Sequence, residues 1–175
     1  MEEEKHKNQV IEQDECSQLF LKTNFSVLQA SKKIANALQE FEQKGYITSK
    51  PILVGFVEDE VFEYSKKIRN PLQNRTMYFT GKSLVHARRV SKTNADIAVS
   101  PADFETFPCT KSSMHIYYDT ETKRYTYTDG KNKFILEPNV PIKMCDGKIL
   151  VVSLVTATKM RATDEFNMQK YVKLK

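Results

Sequence analysis

The chain has no tryptophan, five glycines, six prolines and three cysteines in 175 residues, and each shortage removes a class of explanation. So little glycine and proline, beside 40% hydrophobic and 28% charged residues, excludes a breaker-rich disordered chain and leaves enough apolar surface for a core. Cys16, Cys109 and Cys145 are odd in number, widely spaced and form no CxxC, so neither a disulfide framework nor a zinc site is expected. Free thiols in a reducing compartment are the simpler expectation. No apolar run approaches the roughly 20 residues that span a bilayer. Residues 1–15 are acidic where an export signal would be basic and then apolar. The expectation is a cytoplasmic protein with no membrane partner. There is no P-loop, GxGxxG, GxSxG or HExxH, and the three histidines offer no i, i+4 pair, so no cofactor and no metal is expected.

The most telling absence is local. Residues 65–95 contain no Asp or Glu, yet hold Lys66, Lys67, Arg69, Arg75, Lys82, Arg88, Arg89 and Lys92 together with His86. The formal net charge of +5 is concentrated there, and such a field raises the local concentration of phosphate-bearing partners. A titratable imidazole inside that field turns a basic patch into a candidate catalytic site. A merely solvated helix face would have the same composition.

The pattern of apolar positions divides the chain in two. Residues 1–15 read as a flexible leader. Leu19 to Phe41 recur at helical spacing, with Ser26 as an N-cap, Gly45 as a stop and a break near Thr23 and Asn24. Residues 51–57 read as a buried strand and 61–68 as a short helix ending before Asn70-Pro71, the candidate boundary between a region 16–70 and a domain 71–175. Beyond it, 76–80 reads as a strand and 82–92 as one helix, placing Lys82, His86 and Arg89 on one face and Leu84, Val85 and Val90 on the buried side. Ser100-Pro101 starts a two-turn helix that Pro108 ends. Segments 114–118, 124–128, 133–137 and 148–158 then read as an antiparallel meander whose last, most hydrophobic strand is central, followed by a closing helix capped by Thr163.

The strand, the helix carrying Leu84-Val85-His86-Ala87-Arg88-Arg89, the Ser100-Pro101-capped helix and a four-stranded sheet ending in Ser153, Thr156 and Thr158 have a familiar order. It resembles the barnase, EndoU, colicin and RelE superfamily of metal-independent ribonucleases, above all its phage-associated branch. The likeness covers residues 75–158, roughly half the chain. It implies an α+β fold, an N-terminal helical region followed by a helix-helix-four-stranded antiparallel sheet. It also implies a toxin or effector that cuts transfer or messenger RNA by 2'-OH attack without metal, with an immunity or inhibitor protein as a second partner.

Metal-free cleavage of RNA requires a base for the 2'-OH, an acid for the leaving 5'-oxygen and cations for the phosphorane. By position, the resemblance implies His86 as acid or base, Arg88 or Arg89 beside it, and Ser153, Thr156 or Thr158 as the hydroxyl-bearing positions of the last strand. His115 competes with His86, sharing a strand face with Tyr117. Lys82, Arg75, Arg88, Arg89 and Lys92 are candidate phosphate ligands, and Tyr117, Tyr118, Tyr125 and Tyr127 a candidate base-stacking platform. Superfamily members use a carboxylate as base; the few in the sheet, such as Glu137, have no motif around them. The rival expectation is a non-catalytic nucleic-acid-binding or protein-interaction module, a regulator or inhibitor. It would use the same cations, or the apolar face of helix 26–44, and would not need His86.

Overall fold

The computed structural model describes Lys22 and residues 24–175; the expected leader and Cys16 lie outside the described residues. Chain order runs α1 (Val27–Lys44), β1 (Ile52–Phe56), α2 (Asp59–Lys67), β2 (Thr76–Phe79), α3 (Gly81–Ala87), α4 (Val90–Asn94) and α5 (Pro101–Thr110). A single 3-10 turn, Lys111–Ser113, leads into β3 (His115–Asp119), β4 (Arg124–Thr128), β5 (Asn132–Met144), β6 (Gly147–Lys159) and β7 (Tyr171–Lys173). Ser26 caps α1 by accepting from Gln29 N at 3.2 Å, and Gly45 ends it in the left-handed conformation, so both signals in the sequence operate.

The class is α+β, but the sheet has seven strands in the order β1-β2-β6-β5-β4-β3-β7, not the expected four. The antiparallel meander β3 to β6 is present. It is extended on one side because β6 buries Val151 and Val152 on opposite faces and so cannot be an edge; β2 pairs with it in parallel, and β1 pairs with β2. On the other side β7 pairs with β3 where a closing helix was expected. Local side-chain bonds explain that difference. Asp164 accepts from Arg161 N at 2.8 Å and Asn167 from Gln169 N at 2.8 Å, which fixes turns that compete with a helix.

Two further expectations are corrected. Residues 82–92 form two helices, because Arg88 caps α3 and donates to Val99 O at 2.7 Å while Arg89 adopts extended backbone. Val90 is consequently 71% exposed rather than buried. Pro108 does not end α5: it costs one N–H, but it is buried with Phe104 and Phe107, whose packing holds the last turn to Thr110.

The helices cover one face of the sheet. Ile34 and Leu38 of α1, Val54 of β1, Phe104 and Phe107 of α5, and Phe134 and Leu136 of β5 share one core, so residues on both sides of Asn70-Pro71 contribute to it. Tyr118, Tyr125 and Tyr127 are buried there and offer no stacking platform to a nucleic acid. A smaller apolar cluster, Tyr78, Ile142 and Val151, lies on the opposite face.

One ion pair is built into the core. Lys111 Nζ donates to Glu58 Oε1 at 2.8 Å and to Phe56 O, and Tyr127 Oη donates to the other Glu58 oxygen. Both charged side chains are about 10% exposed or less. The lysine reaches Glu58 by lying against Gly55, where a Cβ would collide with its Cε. Replacing Lys111 by Met leaves the Glu58 carboxylate buried and without its cation, so urea denaturation should show a loss of about 3–5 kcal/mol. A double replacement with Glu58→Gln should recover most of it.

Candidate functional site

β2 is four residues long and meets β6 only at Met77↔Val152 and Tyr78↔Ser153. Past that point the chain must turn. Thr80 and Ser83 form a capping box, Ser83 N donating to Thr80 Oγ1 at 3.2 Å and Thr80 N to Ser83 Oγ at 3.1 Å, which starts α3 immediately. Leu84 and Ala87 are buried, so Lys82 and His86, one turn apart, are presented outward.

A cleft of about 850 Å³ opens between α3 and the sheet. Lys82, His86 and Arg89 line one wall, and Glu137 and Ser153 the other, with Val140, Pro141 and Ile142 closing one end. Glu137 and Ser153 are cross-strand partners, and Tyr78 pairs with Ser153 on the far side, so the three side chains form one row across the sheet. Two β-bulges bracket the row. Val155 is the extra residue in β6, and β5 gains one between Glu137 and Val140, where Asn139 has φ 53°. Asn139 is braced: its Oδ1 accepts from Gln73 N at 3.0 Å and its Nδ2 donates to Pro71 O at 3.1 Å. Glu137 pairs with Arg124 at 3.6 Å and keeps 45% of its side chain exposed, free to meet a ligand.

The eight cations of residues 65–95 do not act as one patch. Arg75 is held by Asp59 at 2.5 Å over the Phe62 ring, and Lys66 by Glu63 at 3.0 Å. Arg88 faces Val99 O and Glu42, away from the cleft. Lys92 is 5% exposed and donates to Thr156 Oγ1 and, at 3.0 Å, to Ala157 O. Among the described residues Lys82 and Arg89 have no acidic partner, and both face the cleft.

Of the residues singled out in the sequence, the structure therefore brings together Lys82, His86, Arg89 and Ser153, with Lys92 and Thr156 bonded to each other behind them. It leaves His115 exposed on β3, separated from β6 by β4 and β5, a distance of about 14 Å at ordinary strand spacing. Tyr117 is stacked on Phe166 at 4.0 Å and 6°, and Thr158 pairs with Lys133 outside the cleft. Glu137 is the residue that sequence reasoning passed over. Period-2 alternation with the buried Phe134 and Leu136 puts it on the opposite face, which is the available signal.

Desolvation in the cleft, and then the positive charges of Arg89 and Lys92, lower the pKa of His86. Among the described residues no three His, Cys, Asp or Glu side chains are grouped to hold a metal ion. Comparison with protein-family models, with curated proteins and with solved structures finds no match.

Lys92 provides a test of this electrostatic layout. Burial, then Arg89, bring its pKa down to about 8. The native state sheds this proton near pH 8 while the unfolded chain holds it to about 10.5, so stability rises with pH across that window. Urea melts from pH 7.5 to 10.5 should show that rise in the native sequence and its absence in Lys92→Met.

Proposed function

We propose that the chain is a metal-independent ribonuclease, acting as a toxin or effector on RNA. The observation that carries the reading is the single cleft in which an imidazole, a carboxylate and two unpaired cations, His86, Glu137, Lys82 and Arg89, converge. These are the group types that cleavage of RNA without metal requires. Glu137 takes the proton from the ribose 2'-OH and the 2'-oxygen bonds to phosphorus. The bond from phosphorus to the 5'-oxygen then breaks as imidazolium His86 donates its proton to the leaving oxygen. Arg89 and Lys82 balance the charge that gathers on the phosphorane. Ser153, beside Glu137 in the sheet, supplies a hydroxyl to the same floor.

The carboxylate absent from the sequence motif thus has a candidate, which supports a base and acid pair rather than histidine alone. Consumption of Arg75, Arg88 and Lys92 by internal contacts supports a focal site rather than a broad nucleic-acid-binding face.

Purified protein incubated with total transfer and messenger RNA in EDTA should leave fragments ending in 2',3'-cyclic phosphate. His86→Ala and Glu137→Gln should each slow cleavage by roughly 10²- to 10⁴-fold while leaving binding intact, since each removes one proton-transfer group. Because only imidazolium donates, kcat/KM, which reports the free protein, should fall as pH rises through the lowered His86 value, below the ordinary 6.5. A rise through the same window would exchange the two roles. Intact RNA with every variant, beside salt-sensitive binding that tolerates His86→Ala, would replace the enzyme by a binding module.

A further inference from the structure

A second cavity, of about 410 Å³, lies on the helix side of the sheet between α2 and the β3–β4 turn, away from the cleft. It is lined by Tyr64, Ile68, Arg69, Asn70, Tyr118, Thr120 and Lys123. Its chemistry is one-sided. Arg69 and Lys123 have no acidic partner among the described residues, and no carboxylate lines the cavity. The Thr120 hydroxyl is engaged with Lys170 O at 2.9 Å, and the Asn70 carbonyl oxygen accepts from Asn139 Nδ2 at 3.3 Å. The polar groups that remain to face a ligand beside Ile68 are therefore donors: a guanidinium, an ammonium, the Asn70 amide nitrogen and two phenols. Tyr64 and Tyr118 meet edge to face at 5.2 Å, and neither hydroxyl donates to an acceptor among the described residues. Tyr118 is 3% exposed, so its position is set by the core and not by solvent.

Both cations stand on left-handed backbone, Arg69 at φ 58° and Lys123 at φ 60°, an arrangement that costs a bulky residue free energy and recurs at ligand clamps. The turn after α2 and the β3–β4 hairpin thus each direct one unpaired cation to the same small space. We infer that this cavity binds a small phosphate monoester, a free dianion or a mononucleotide rather than a polymer. Two charge-assisted contacts and phenolic donors satisfy a terminal phosphate, which offers three acceptor oxygens and about 1.5 to 2 negative charges at neutral pH. The volume sits at the lower end of the range for small-molecule sites.

The inference does not rest on the ribonuclease reading, because the two sites share no residue. Isothermal titration of the full chain with inorganic phosphate and with adenosine 5'-monophosphate tests it. Both should bind, the nucleotide more tightly if the tyrosines meet its ring. The Arg69→Asn, Lys123→Asn double variant should weaken binding at least tenfold; Asn tolerates left-handed backbone, so the fold should persist. Tyr118→Phe, which removes one hydroxyl and no packing, should weaken it several-fold. The titrations are run in the Lys82→Ala, Arg89→Ala background, which removes the phosphate contacts of the cleft, and binding should persist there. Absence of binding by either probe at millimolar concentration would overturn the assignment. So would binding that, in this background, survives the Arg69→Asn, Lys123→Asn replacements, or binding already lost in the background itself, which would move the anion to the cleft.

Discussion

The pairing between β2 and β6 is the constraint on which the arrangement of the site depends. A four-residue strand lies parallel to the middle of a thirteen-residue one, and the pairing stops after Tyr78↔Ser153. A strand edge cannot simply end in a folded interior, because its amides and carbonyls need partners. Here the partners are irregular: Lys159 N donates to Ile97 O at 2.8 Å, and the ammonium of Lys92 donates to Ala157 O at 3.0 Å. To deliver these groups the chain breaks its helix at Arg88 and Arg89 instead of running on to Lys92. That break brings Arg89 to the mouth of the cleft and Lys92 behind its wall. The separation of Arg88 and Lys92, which are engaged, from Arg89, which is free, follows from the same event.

The opposite wall depends on two bulges that nearly cancel. Counting back from the Asp146-Gly147 turn, the register Met144↔Gly147 through Val140↔Val151 would place Glu137 opposite Leu154. An extra residue in β5 moves it opposite Ser153, and the extra Val155 in β6 restores the original register at Ile135↔Thr156. The slip is confined to Leu136 and Glu137. Since a one-residue slip exchanges the faces of a strand, keeping it this short preserves the buried Phe134 and the apolar Val140 on their proper sides. Asn139, bonded to Gln73 N and Pro71 O, holds the bulge from outside the sheet.

These two features mark where the sequence could be read and where it could not. Helix caps at Ser26 and Ser100, the hairpin turns and the meander are local chemistry, and each formed as its residues indicate. The face that carries Lys82 and His86 follows from helical spacing alone. Parallel pairing of β2 with β6 joins segments about 75 residues apart and leaves no local trace; nor do compensating bulges. Glu137 was therefore visible as an acidic strand residue but not as a neighbour of Ser153. The split of 82–92 was hidden for another reason. Arg88, Arg89 and Lys92 look alike in sequence, and only tertiary acceptors, Val99 O for one and Ala157 O for another, distinguish them.

The charge left uncompensated at the cleft has a consequence for how the proposed chemistry would run. His86, Arg89 and Lys92 repel one another, and the nearest hydrogen-bond partners of Lys92 are a hydroxyl and a carbonyl, which stabilise a cation less than a carboxylate would. These effects favour the neutral imidazole. A phosphate entering between Lys82 and Arg89 supplies the negative charge the cluster lacks, which offsets the repulsion and raises the proton affinity of His86. The acid that the leaving oxygen needs is then generated by the substrate's own charge. A neutral ligand of the same shape would bind without producing it.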